Sequence, residues 1–186
     1  RYTCENVVLA VGDMNRPRRL NIPGEDLPHV SHYFFEPHDY FRKNLLIVGG
    51  QNSAVEAAIR CQRAGAHVTL SYRQDTFDTK SVKYWLTPEI EMLIKTDRVR
   101  FLPKTSPIGI TPSQVKLASS DDGTTHEVEA DFVLLLIGYE MDPTLFKLAG
   151  VSLTGENRAP VFNANTMQTD VPGVYVAGTA AAGTQQ

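Results

Sequence analysis

Residues 45–58, LLIVGGQNSAVEAA, carry the first spacing in the chain that could do chemistry. An apolar run meets a glycine pair and then a small-residue segment, the outline of a dinucleotide-binding turn. In the G-x-G-x-x-G/A pattern the first glycine permits the tight turn and the second lets backbone approach a pyrophosphate. The third position lets helix and strand pack closely. Gly49 and Ala54 fill the first and third places, and Gln51 stands at the middle one. The Gln51 amide could donate to a phosphate, beside the backbone N–H groups of a helix N-terminus. Asn52 and Ser53 are residue types favoured at such a terminus. Gly49, Gly50, Gln51, Asn52 and Ser53 are therefore candidate pyrophosphate contacts. The competing reading is a helix start that binds nothing.

The end of the next strand sharpens the choice. NAD-binding units place an Asp or Glu about 20 residues after the first glycine, to hold the ribose 2′-hydroxyl. Here the strand ends at Ser71-Tyr72-Arg73, with no carboxylate at its tip. A carboxylate repels a 2′-phosphate, whereas an arginine attracts it through a charge-assisted contact. Arg73 thus points to NADPH rather than NADH. Lys80 and Lys83 follow in the loop and could add charge. The bland alternative for Arg73 is a solvated charge at a strand end.

Positioning such a site takes a strand–helix–strand unit, and the surrounding pattern supplies one. NVVLAV (6–11) and LLIVGG (45–50) are continuous apolar runs, as expected of strands covered on both faces. Residues 53–64 form a helix ending at Gly65, and HVTLSY (67–72) is the next strand, which implies a right-handed parallel crossover. A second helix takes Pro88 in its first turn, before the strand VRFLP. Residues 106–130 then change style. The segments QVKLAS and THEVEA, split by Asp122-Gly123, predict an antiparallel meander. DFVLLLIG (131–138) and VYVAG (174–178) return as buried strands. Residues 13–30 read as loop and 31–43 as an aromatic connector.

The 186 residues can bury a real core, and a formal net charge of −3 with no basic block argues against nucleic acid as a partner. No apolar run approaches the roughly 20 residues of a membrane span. Cys4 and Cys61 lack C-x-x-C spacing, and Cys61 falls on the inward side of the first helix as a small hydrophobe. The five histidines show no metal-ligand pattern. A reducing, cytoplasmic setting is the default. The opening RYTCENVVLAVG and the closing VYVAGTAAAGTQQ read as an excised fragment of a longer protein.

With these motifs in order, the chain resembles the flavin-dependent pyridine nucleotide–disulfide oxidoreductases of the thioredoxin reductase branch. NVVLAVGDMNRPRRLNIPGED is similar to that family's entry into its nicotinamide-cofactor domain, and NANTMQTDVPGVYVAG to its return strand. The resemblance implies an α/β fold: a Rossmann-like domain with a parallel sheet and an antiparallel β-meander, flanked by partial strands of an FAD-binding domain. It implies residues 1–43 as residual flavin-domain segment and connector, 44–158 as the NADPH-binding domain, and 159–186 as the return segment.

Departures narrow the branch. Where thioredoxin reductases carry a redox-active C-x-x-C after Val-Ser, Val30-Ser31 here leads to HYFFEPHDYF, with Tyr33 and Glu36 near the cysteines' places. Without thiols that segment cannot pass electrons to a disulfide. VSHYF, IVGGQNSA, the Tyr72-Arg73 pair and Lys83-Tyr84-Trp85 together resemble the bacillithiol disulfide reductase group, which also has a long polar residue at the place of Gln51. The family's closing Gly-Asp is Gly178-Thr179 here, so its flavin ribityl contact is absent. Gly178 and Thr179 are carried over as flavin-side residues, and Gly138 as a point where the chain passes near the nicotinamide.

The implied function is the NADPH-binding part of an FAD-dependent disulfide reductase, with a small-molecule or protein disulfide as substrate. No catalytic residue is assigned within this chain, which alone should not turn over, and a homodimer is open to the full-length protein. Rival readings are the NADPH domain of a flavin monooxygenase-like enzyme and a non-enzymatic nucleotide-sensing or protein-binding module. The aromatics Tyr33, Phe34, Phe35, Tyr40 and Phe41 are expected to form an apolar surface, and Trp85 to pack in a core or an interface rather than stack on a cofactor.

Overall fold

The computed structural model of the chain describes residues 3–78 and 81–184; Lys80, expected to add charge near Arg73, lies outside them. Along the chain run β1 (Val7–Leu9), β2 (Arg16–Pro17), β3 (Val30–Ser31) and β4 (Asn44–Val48), then helix α1 (Asn52–Arg63) and β5 (His67–Ser71). Helix α2 (Thr87–Lys95) and β6 (Val99–Leu102) precede a three-strand stretch, β7 (Thr105–Ile110), β8 (Gln114–Ser119) and β9 (Thr125–Glu129). Then come β10 (Phe132–Leu135), β11 (Tyr139–Glu140), helix α3 (Thr144–Leu148), β12 (Leu153–Thr154), β13 (Ala159–Pro160) and β14 (Val174–Val176). Two compact units result. One is the continuous segment Arg19–Ile137; the other joins the segment up to Arg18 with that from Gly138 onward.

The continuous unit is built on a parallel sheet of order β3-β10-β4-β5-β6. Strand β10 is apolar throughout and β4 is apolar from Leu45 to Val48, because both faces are covered. Side chains alternate across a strand, so Leu45 and Ile47 of β4 join the core under α1, while Leu46 and Val48 join the opposite one. In the same way Leu134 and Leu136 pack with the helices, and Val133 and Leu135 with the meander. On the helix side Ala54, Val55, Ala57, Ala58, Ile59 and Cys61 of α1 are all buried. On the other side the antiparallel strands β7-β8-β9 contribute Ile110, Val115, Leu117 and Val128. Each large apolar side chain buried this way contributes roughly 1.5–3 kcal/mol.

Helix α1 stops where the sequence predicts. Gly65 has φ +93°, its N–H donates to the Gln62 carbonyl, and the Ala66 N–H donates to that of Cys61. These two bonds make the Schellman closure that a left-handed glycine allows. The β8–β9 turn is equally local. Gly123 has φ +69°, and the Asp122 carboxylate accepts from both the N–H and the hydroxyl of Thr124, which holds it below the usual carboxylate range.

The second unit is made of short pairs. β1 lies parallel to β14, β2 is antiparallel to β11, and β12 is antiparallel to β13. Leu9, Met141, Phe146, Val151, Val176 and Ala180 form its core. Predicted strand 6–11 is shorter than its apolar run: only Val7–Leu9 pairs, and Val7 and Val8 remain exposed. The stretch 13–30, read as loop, contains β2 and the start of β3, each too short to leave a periodic signal. Among the described residues no helix is long and apolar enough to cross a membrane.

The aromatic connector splits. Tyr40 is 8% exposed and belongs to the helix-side core, with Phe132 edge-on to it at 5.3 Å. Phe34 packs against that same core beneath the Arg60 guanidinium, which lies 5.0 Å from its ring centroid. Only Tyr33, Phe35 and Phe41 are exposed, so the expected continuous apolar surface is smaller than the sequence suggested.

Candidate functional site

The glycine turn sits at the carboxyl end of β4, where the strand order reverses between β10 on one side and β5 on the other. Open parallel sheets bind ligands in the crevice beyond that point. Gly49 has φ +138°, and a Cβ there would run into the Leu136 carbonyl and crowd the Ala54 methyl at 3.0 Å. Close approach of three chain segments therefore demands glycine and a small third-position residue, the packing roles assigned from sequence. Gly50 answers to a different neighbour. A Cβ on it would fall against the base of the Tyr72 ring. Tyr72 is 9% exposed and stacks on Phe77, with centroids 6.0 Å apart, and Phe77 packs in turn on Phe101. Tyr72 was not singled out by spacing, because only the folded turn brings it over Gly50.

Gln51 is the N-cap of α1, extended at φ −100°, ψ −175°, and its exposed side chain makes no capping bond. The first helical bond runs from the Val55 N–H to the Gln51 carbonyl at 3.0 Å. The N–H groups of Asn52, Ser53 and Ala54 thus precede the helical ladder and are available to an anion. Asn52 does not cap the helix. Its Oδ1 accepts from the Lys83 backbone N–H at 2.8 Å, tying the loop after β5 to the first turn of α1. Ser53 is exposed beside it.

Arg73 is exposed one residue beyond Tyr72 and makes no ion pair among the described residues. The nearest carboxylate in sequence, Asp75, acts on Lys104, whose ammonium is held above its ordinary value chiefly by Asp121 at 3.0 Å. Arg73 is thereby left as a solvent-facing cation at the strand tip, while Asp75 and Asp121 both act on Lys104. Lys83 is exposed, its Nζ 5.4 Å from the Trp85 ring centroid. Trp85 itself is 56% exposed, so it does not take the place in a core that its type suggests.

The segment 22–26 carries the buried carboxylate of a charged cluster that spacing alone does not reveal. The Glu25 side chain is 1% exposed and accepts from the Leu20 and Asn21 N–H groups at 2.9 and 2.7 Å. Arg19 and His32 each lie 3.5 Å from it. It closes the loop that leads into β3. Where a dithiol would stand, Tyr33 is exposed, and Glu36 caps a short 3-10 turn by accepting from the His38 N–H at 3.1 Å. His38 Nδ1 at 2.7 Å also holds the Glu36 carboxyl below its usual range. That segment serves as a structural corner.

The remaining candidates lie in the second unit. Gly138 has φ +100°, and its carbonyl accepts from the Arg18 N–H at 3.0 Å. Gly178 has φ +70° with open space where a Cβ would go, and it starts the 3-10 turn Gly178–Ala182 that carries the exposed Thr179. Among the described residues no group of His, Cys, Asp and Glu could hold a metal ion.

These features can be set beside known proteins. The chain is 37% identical over 182 residues to the bacilliredoxin reductase of Bacillus subtilis, covering 98% of this chain and 56% of that protein. It is 27% identical over 180 residues to a ferredoxin–NADP reductase of Ignicoccus hospitalis, covering 95% and 56%. In three dimensions it matches the bacillithiol disulfide reductase of Bacillus cereus with a TM-score of 0.88 and 32% identity, over 95% of this chain and 53% of that one. The chain therefore spans about half the length of these relatives. The family pattern described as pyridine nucleotide-disulphide oxidoreductase matches residues 1–178. That match over nearly the whole chain, on the fold described above, makes this chain a member of the pyridine nucleotide-disulphide oxidoreductase family.

Proposed function

We propose that residues 19–137 bind NADPH within an FAD-dependent oxidoreductase that reduces a low-molecular-weight disulfide. The observation that carries this reading is the pairing of an α1 N-terminus without a side-chain cap, whose first N–H groups precede the helical ladder, with the exposed Arg73 at the end of the next strand. Gly49 and Gly50 shape the turn, and the N–H groups of Asn52 and Ser53, with the Gln51 amide, hold the pyrophosphate. Arg73 and Lys83 hold the 2′-phosphate. Gly178 and Thr179 contribute to the flavin side, and Gly138 gives a cofactor close access to backbone.

When bound, NADPH supplies a hydride that FAD relays toward the disulfide; the chain's own part is binding and orientation. The absence of thiols at Tyr33 and Glu36 removes an internal dithiol relay from this segment, which supports a small disulfide over a thioredoxin-like protein substrate. The free thiols Cys4 and Cys61 support a cytoplasmic setting.

Calorimetric titration with NADPH and NADH tests the site. Preferential binding of NADPH is expected. Arg73→Ala should weaken NADPH about tenfold, the loss of one charge-assisted contact, while barely changing NADH. Equal losses for the two cofactors would sink the assignment of Arg73.

A further inference from the structure

The turn Lys83–Leu86 presents an aromatic surface that the proposed site has not yet used. Its backbone is fixed at both ends. Val82 is 2% exposed in the helix-side core, and Leu86 packs against that core. The Lys83 N–H is held by Asn52, and the Leu86 N–H closes the turn on the Lys83 carbonyl at 2.9 Å. Between these anchors Tyr84 and Trp85 project, 82% and 56% exposed, with perpendicular rings 4.9 Å apart. Two large aromatics held outward on a pinned turn, beside the first turn of α1, are costly to leave in water. The seat suits the flat, apolar face of a nucleobase.

That seat is partly taken. The Lys83 ammonium lies over the Trp85 ring, an exposed cation–π contact. Resting on NADPH binding at α1, we propose that Trp85 is the adenine seat and that Lys83 is its resident occupant in the free protein. Binding exchanges partners: the ammonium leaves the ring for the 2′-phosphate, and adenine takes the face it vacates. A nucleotide without a 2′-phosphate must displace Lys83 and offers it nothing in return. Selection for the phosphate thus operates twice, by attraction and by the cost of an unrewarded displacement.

Trp85 is the single tryptophan of the chain, so its emission reports on this seat directly. The probes are 2′,5′-ADP and 5′-ADP, titrated into the full chain by calorimetry and by tryptophan fluorescence, with circular dichroism to check folding of each variant. With the native sequence, 2′,5′-ADP should bind and change the Trp85 emission. Lys83→Met should weaken 2′,5′-ADP about tenfold while tightening 5′-ADP about 2- to 5-fold, the cation–π contact no longer opposing it. Trp85→Ala should weaken both ligands about fivefold or more, the loss of one base–aromatic stack.

Unchanged or weaker 5′-ADP binding by Lys83→Met would overturn the exchange. Binding of 2′,5′-ADP with unaltered emission and full affinity in Trp85→Ala would overturn the adenine seat and leave the nucleotide reading intact. Failure of 2′,5′-ADP to bind the native chain would remove both.

Discussion

Cys61 is fully buried in the helix-side core, and that burial pushes its thiol from 9.0 up to about 12. The folded chain therefore keeps a proton that the unfolded chain gives up above about pH 9. Its contribution to stability is complete below that pH and declines as pH rises toward 12, with a limiting slope of about 1.4 kcal/mol per pH unit. Burial raises the Tyr40 phenol as well, which adds loss in the same direction at higher pH. Urea midpoints compared at about pH 7 and about pH 10 should show this decline, and Cys61→Ala should flatten it. An equally steep decline in the variant would remove Cys61 as its cause. Cys61 was legible in the sequence because Ala54, Ala57 and Ala58 mark one helix face by spacing alone. Trp85 was not. A tryptophan in a short turn carries no periodicity, and its exposure follows from distant anchors at Asn52 and in the core.

Among elements, the β4–α1 turn keeps some of the packing roles that spacing assigns and sets another by a different contact. Gly49 and Ala54 fulfil the packing roles that spacing assigns them, but Gly50 is constrained by the Tyr72 ring at the end of β5. Gly50→Ala should therefore displace Tyr72 from Phe77 and destabilise the fold by about 1–3 kcal/mol, the usual cost of forcing volume into a packed site. Chemical denaturation measures that loss, and removing the ring in the double variant Gly50→Ala with Tyr72→Ala should make the glycine change nearly neutral. A large residual cost there would mean that the turn itself needs glycine. Strands β4 and β10 were legible because burial on both faces writes an unbroken apolar run. Pairs such as β2 with β11 and β12 with β13 were not, since two residues cannot display a period. Asn52 was placed rightly at the helix terminus, yet its partner, the Lys83 N–H, lies across a loop that composition cannot orient.

At the scale of the molecule, Arg19–Ile137 owns its sheet, its two cores and the helix terminus proposed for NADPH. Expressed alone, this segment should unfold cooperatively in urea and retain slow amide exchange in β4, β5 and β10; a gradual transition with no protected amides would show that it depends on the other unit. The other unit is differently made. Its longest pairing joins Val7–Leu9 to Val174–Val176, segments from opposite regions of the sequence. Before the intervening unit folds, that pairing must close a very long loop, and the entropy of closure opposes it until other contacts reward it. Once Arg19–Ile137 has folded, its two ends become a short, fixed spacer, and the effective loop collapses. The connectivity thus sets an expected order of events: the parallel pair β1–β14 should form late, after compaction of the segment inserted between its strands.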